Sequence, residues 1–180
     1  ISARDASPLA LPVAHASDLI EAVEGLRAAG DSWGGALRCR VDGLPPGLGE
    51  PVFDKLGSLL GHALMSLPAA VAFEIGGGEV CSHLPGSALR DPIASTSAGP
   101  RPISNRHGGL LGGMSTGHPL LLGISFHAPT SIPRPIATVN IDGVEQEITV
   151  GGRHDAFPLP RAVPMVEAMV AIVLADALFR

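Results

Sequence analysis

The chain has 180 residues, enough for one domain with a sizeable core, and 46% of them are hydrophobic against 16% charged, which excludes disorder. A net charge of −5 with no Lys/Arg run leaves no electrostatic footprint for nucleic acid. Cys39 and Cys81 lie far apart in unrelated contexts, which excludes a disulfide framework or a CxxC metal site and fits a reducing, cytoplasmic compartment.

Aromatic residues make up 3% with no Tyr, so the core must be aliphatic, while 23 Gly and 17 Pro imply many turns and short elements. No uninterrupted apolar stretch approaches the roughly 18 residues of a membrane helix, and no membrane partner is expected. The start Ile1-Ser2-Ala3-Arg4-Asp5 does not read as a signal peptide, and its lack of Met is taken to mean that the chain begins inside a longer product.

In chain order, Ser17 is the expected N-cap of a helix carrying Leu19, Ile20, Val23 and Leu26 on one face and stopped by Gly30. Leu37, Cys39 and Val41 alternate with Ala36, Arg38 and Arg40, the period of a strand with one dry face. A second helix is expected from Val52 to about Ser66, with Phe53, Leu56, Leu59, Leu60, Ala63 and Leu64 on one stripe, closed by Pro68. Val71, Phe73 and Ile75 alternate as a strand that Gly76-Gly77-Gly78 breaks, and residues 79–106 read as a long surface loop.

Leu120 to Phe126 is an apolar strand, and residues 137–150 form a hairpin turning at Asp142-Gly143. Pro164 is placed in the first turn of a last helix that buries Val166, Met169, Val170, Val173, Leu174 and Leu178. Helices mixed with mostly antiparallel pairs give an α+β fold, without an internal repeat.

Four segments carry a family resemblance. They are Gly30-Asp31-Ser32 with Gly34-Gly35; Pro46 to Leu56 running into His62-Ala63-Leu64-Met65-Ser66; Ser104-Asn105 with Gly108-Gly109 and Gly112-Gly113; and Gly152-Arg153-His154-Asp155 with Arg161-Ala162-Val163-Pro164 and Glu167-Ala168-Met169. In order and spacing the chain resembles the C-terminal half of chorismate synthase across nearly its whole length. The resemblance implies one domain over residues 1–180, part of a β-α-β sandwich of antiparallel sheets around a helical layer, usually in a tetramer. It implies a carbon-oxygen lyase of the shikimate pathway of aromatic amino acid biosynthesis, which eliminates phosphate from 5-enolpyruvylshikimate 3-phosphate in a 1,4-elimination to give chorismate, with reduced FMN.

Residues follow from the same likeness. Ala128-Pro129-Thr130-Ser131-Ile132 matches the flavin loop that usually reads Lys-Pro-Thr-Ser-Ser-Ile, so His127, Ala128, Pro129, Thr130 and Ser131 are expected at the cofactor, as are Ala69 after Pro68 and Gly112 in the glycine hairpin. Arg153 offers a planar fork to a phosphate or carboxylate and is expected to serve cofactor and substrate. Asp155 matches the aspartate near flavin N5, where a carboxylate can assist proton transfer. Read as ordinary structure, the paired glycines are a hairpin turn, Thr130 and Ser131 turn formers, Asp155 a helix cap and His62 a packing or hydrogen-bonding residue. The glycine hairpin, the Thr130-Ser131 corner and the Arg153 to Asp155 turn are expected to form one wall of a flavin pocket.

The family's N-terminal half, with its main substrate ligands and both acid histidines, does not match, so the chain alone is expected not to turn over and to need that half as partner. Within the matching part, His127 replaces Lys, His107 replaces the Ala before the double Gly, and Ala156-Phe157 replaces Pro-Cys. These departures leave two alternatives, a non-catalytic binding or assembly module and a diverged lyase acting on a related enolpyruvyl compound.

Overall fold

A computed structural model describes residues 16–97 and 99–180. Its elements begin with α1 (Ala16–Ala28), β1 (Gly35–Val41), α2 (Leu56–Met65), β2 (Ala70–Ile75), a 3-10 helix (Gly78–His83), α3 (Gly86–Leu89), β3 (Ile93–Thr96) and β4 (Gly99–Pro102). They continue with β5 (Leu110–Leu111), β6 (Met114–Ser115), β7 (Leu120–Phe126), β8 (Pro135–Val139), β9 (Glu145–Thr149) and α4 (Leu159–Phe179). Seven consecutive strands, with antiparallel pairs β3–β4, β5–β6 and β8–β9, are flanked by helices, as in an α+β fold.

The chain divides into two compact units. One takes in the described residues up to Gly35 with Phe126–Val163, and the other Ala36–Ser125 with Pro164–Arg180. In the first, α1 carries Asp18 in its first turn and Arg27 in its last, matching the helix dipole, and ends at Gly30 with φ +61°. Ser17, expected as the cap, lies inside the helix with its hydroxyl 3.1 Å from Asp18 Oδ1. In the β8–β9 hairpin the Asn140 side chain accepts the Asp142 and Val144 amides, each at 2.9 Å, and closes the turn around Gly143.

The second unit holds the aliphatic core. Its three-stranded sheet has the order β1-β7-β2, and the central strand buries Leu120, Leu122 and Ile124. Leu56, Leu60 and Leu64, four residues apart on α2, form a fully buried stripe, each contributing about 1.5–3 kcal/mol of burial. Val166, Val170 and Leu174 repeat that spacing on α4. α2 packs on β2, where Gly57 faces Ile75 and Gly61 faces Phe73; a Cβ at Gly57 would stand 2.9 Å from Ile75 Cδ1. On β7, Gly123 makes room for Arg38 of β1 to reach Glu74 of β2 at 2.9 Å across the central strand. On β1, burial first and then the Glu167 carboxylate push the Cys39 thiol up.

Four further expectations change. Helix α2 starts at Leu56 instead of Val52, since Val52 has φ +60° and Phe53 is 86% exposed. Its first amide, Leu56 N–H, donates to Gly113 O at 2.9 Å, so a distant carbonyl serves where no side chain caps. Residues 79–106 carry the 3-10 helix, α3 and the β3–β4 hairpin, with Ile93 opposite Pro102, and so are not one long loop. Helix α4 begins at Leu159, because Pro160 occupies the first turn, where a missing N–H is no loss, and Pro164 lies inside.

The fourth change concerns the same helix. At 21 residues with a mean hydropathy of 2.0 in its most apolar window, α4 is long and apolar enough to cross a membrane by length and composition. Glu167 and Asp176 interrupt that run, which hid it from a search for unbroken apolar sequence.

Candidate functional site

In the first unit one short segment, Asp31 to Gly35, anchors two of the expected site pieces. The Ser32 hydroxyl donates to Pro129 O at 2.5 Å, and the Trp33 amide donates to Ala156 O at 2.9 Å. Gly34 is required by this contact, because a Cβ there would lie 2.2 Å from Phe126 O. Arg134 adds an ion pair to Asp31 at 2.8 Å and bonds to Ala29 O, tying down the far end of the loop. The loop from His127 to Ser131 and the turn leading to Ala156 are thus attached to adjacent residues of one strap.

On this frame the expected residues differ in how they are engaged. Thr130 and Ser131 are exposed, and their hydroxyls make no hydrogen bond among the described residues. Arg153 is exposed and pairs with no carboxylate among the described residues. His127 is exposed, with Nδ1 2.6 Å from Ala128 O, so that nitrogen is the donor. Asp155 uses both oxygens: Oδ1 accepts the Phe157 amide at 3.2 Å and Oδ2 pairs with Arg161. It therefore shapes the turn into α4 through an Asx-type bond and an ion pair. Beside it, His154 Nε2 is buried without a hydrogen-bond partner among the described residues, a state that costs about 1–3 kcal/mol unless a ligand or partner satisfies it.

The remaining expected residues lie in the second unit. Ala69 is half-buried at φ +65°, a strained conformation for a residue with a Cβ. Gly112 and Gly113, with φ +63° and +94°, form the two-residue turn between β5 and β6 that positive φ at both positions permits. Space around Gly112 is open, whereas a Cβ on Gly113 would meet the Lys55 side chain.

Gly108 and Gly109 are required by the packing of the chain itself. A Cβ on Gly108 would lie 2.4 Å from Gly76 Cα, and one on Gly109 2.6 Å from Pro119 O, so protein backbone fills the space. Asn105 stitches the same crossing, donating to Pro119 O and accepting the Gly109 amide, both at 2.8 Å. His62, on the last turn of α2, is exposed and neither packs inward nor hydrogen-bonds among the described residues.

Sequence reasoning missed Asp91. Its Oδ1 accepts the Ser104 hydroxyl at 2.5 Å and the Arg106 amide at 2.8 Å, while Oδ2 accepts His107 Nδ1 at 2.8 Å and the His107 amide at 3.3 Å. Desolvation opposes the charge, but the bonds from Ser104, Arg106 and His107 outweigh it and hold the carboxyl well below the usual carboxylate range. His154 and Arg161 were quoted in motifs without a role. No helical pairing distance signalled the second, because Arg161 follows Asp155 by six positions and Asp155 lies before the helix.

An α+β protein with antiparallel hairpins, an aliphatic core and a strap-anchored loop carrying exposed hydroxyls is the class so defined. The sequence model of the family described as chorismate synthase matches residues 2–179. A chorismate synthase from Opitutus terrae is 44% identical over 173 residues, covering 96% of this chain and 48% of that protein. One from Synechococcus sp. strain JA-3-3Ab is 47% identical over 167 residues, covering 93% and 44%. A solved structure titled "Crystal Structure of Chorismate Synthase" superposes with a TM-score of 0.79 at 26% identity, over 98% of this chain and 46% of that one. The chain belongs to the chorismate synthase family, a family of lyases, and spans about half the length of the curated relatives it matches.

Proposed function

We propose that this chain is one domain equivalent to the C-terminal half of a chorismate synthase, working with the matching N-terminal half in the 1,4-elimination of phosphate from 5-enolpyruvylshikimate 3-phosphate. The observation that carries the reading is the strap: the loop bearing the free Thr130 and Ser131 hydroxyls and the turn bearing the unpaired Arg153 are fixed to neighbouring residues, Ser32 and Trp33. Free hydroxyls and an unpaired guanidinium are a donor set that suits an anionic group such as the flavin phosphate.

In this reading, His127, Ala128, Pro129, Thr130, Ser131 and Arg153 hold reduced FMN, and Arg153 also serves the substrate. Held by these residues, reduced FMN would supply transient electron density for the departure of phosphate. Asp155, steadied by Arg161, is the group placed to hold or pass a proton, and the buried, unpartnered His154 Nε2 is an atom that a bound group would satisfy. His127 lacks the permanent charge of the lysine in the family loop, which weakens the hold on the phosphate. A cytoplasmic location and a homo-oligomer go with this reading, and the family match runs through α4, which makes that helix part of the fold.

The test is reconstitution. Purified chain is assayed with 5-enolpyruvylshikimate 3-phosphate and photoreduced FMN, with and without a relative's N-terminal half. Chorismate only with both parts supports the proposal. Flavin binding with no turnover at saturating partner favours the non-catalytic module, which the half-length coverage makes the second reading. Elimination from a related enolpyruvyl compound alone would mark the diverged lyase.

A further inference from the structure

In the second unit, beyond the residues assigned to the flavin, a cavity of about 310 Å³ is lined by Arg90, Asp91, Ile93, His107, Leu111 and His118 among others. Its charge pattern is one-sided. Asp91 is the only acid in the lining, and its side chain, 14% exposed, spends its oxygens on Ser104, Arg106 and His107. Three basic side chains retain unmet capacity. Arg90 pairs with no carboxylate among the described residues, the His118 ring makes no hydrogen bond among them, and His107 has only Nδ1 engaged. Because Asp91 can only accept, Nδ1 carries the proton, and the Asp91 contact fixes the ring orientation with Nε2 left for a ligand. Ile93, Pro102 and Leu111 supply an apolar surface beside these groups.

We propose that this cavity is a binding site for a small organic carboxylate with an apolar body. Arg90 receives the carboxylate through its planar fork, the apolar body rests on Ile93 and Leu111, and His107 binds as an imidazolium bridging the ligand and Asp91. Arg90, Asp91 and His118 are the other charged or titratable groups lining the cavity. The site takes no part in the flavin reading and stands or falls separately from it.

The experiment uses the intact chain with benzoate as probe and benzyl alcohol as the neutral control, followed by NMR of the histidine rings at pH 6 and pH 8. Expected are saturable shifts of His107 and His118 with benzoate but not with benzyl alcohol, and tighter binding at pH 6. Arg90→Gln, an exposed position that leaves the fold intact by circular dichroism, is expected to weaken benzoate about tenfold, with partial recovery in Arg90→Lys. His107→Ala, the residue the family usually carries there, is expected to remove the pH dependence attributable to that ring. Absence of saturable shifts, equal shifts with the alcohol, or unchanged affinity in Arg90→Gln overturns the proposal.

Discussion

Asp91 and His107 stand sixteen positions apart, yet Oδ2 of the first accepts Nδ1 of the second at 2.8 Å, and the same carboxylate accepts the Ser104 hydroxyl and two backbone amides. One ionised side chain thereby organises the segment from Ser104 to His107.

The pH consequence has a definite sign. The folded-state pKa of Asp91 is depressed, so its stabilisation is fully present above the unfolded value of about 3.9 and is lost as pH falls toward the folded value. Urea melts between pH 7 and pH 3 should show an acid-side loss that Asp91→Asn largely removes. At pH 7 that variant should be less stable by about 1–3 kcal/mol, because the Asn amide cannot accept all four donors.

Gly108 and Gly123 both face crowded surroundings, but of different kinds. An alanine at Gly108 would strike Gly76 backbone and adopt φ +63°, so a loss of about 2–4 kcal/mol is expected by chemical denaturation. At Gly123 the new Cβ meets the end of Arg38, which can swing away from an exposed ion pair worth about 0–1 kcal/mol. Thermal melts should therefore rank Gly123→Ala far milder than Gly108→Ala.

Leu60, fully buried in the middle of the α2 stripe, sets the scale of the core. Leu60→Ala should cost about 2–5 kcal/mol in a urea titration, with retained helical signal at low denaturant.

Flavin affinity provides the fourth prediction. Arg153→Gln should weaken binding of FMN to the chain about tenfold or more in a fluorescence titration, since a charge-assisted contact is lost. Arg161→Gln should leave FMN affinity within about twofold while lowering turnover in the reconstituted enzyme, since it frees Asp155 from its ion pair.

Periodicity made β1 and the Leu56-Leu60-Leu64 and Val166-Val170-Leu174 stripes legible, because strand alternation and four-residue helical spacing are written locally, whereas Val71 of β2 and Leu178 of α4, expected inside, are exposed. Boundaries were harder. The start of α2 depends on Gly113, 57 positions beyond Leu56, and no local pattern encodes that bond. Glycine meanings were also hidden: Gly108 and Gly112 look alike in sequence, yet one is walled by Gly76 and the other faces open space. The Ser32 to Pro129 contact, which docks the Thr130-Ser131 loop, joins residues 97 apart and became visible only in three dimensions.

The carbonyl of Gly113 that receives the Leu56 amide links two elements usually treated as separate, a loop tip and a helix start. Exchange of the Leu56 amide with deuterated water should consequently follow opening of the β5–β6 turn rather than fraying of α2. Any agent that lifts the glycine tip would unprotect the helix at its first residue, giving a solvent-exchange readout of that loop from a site outside it.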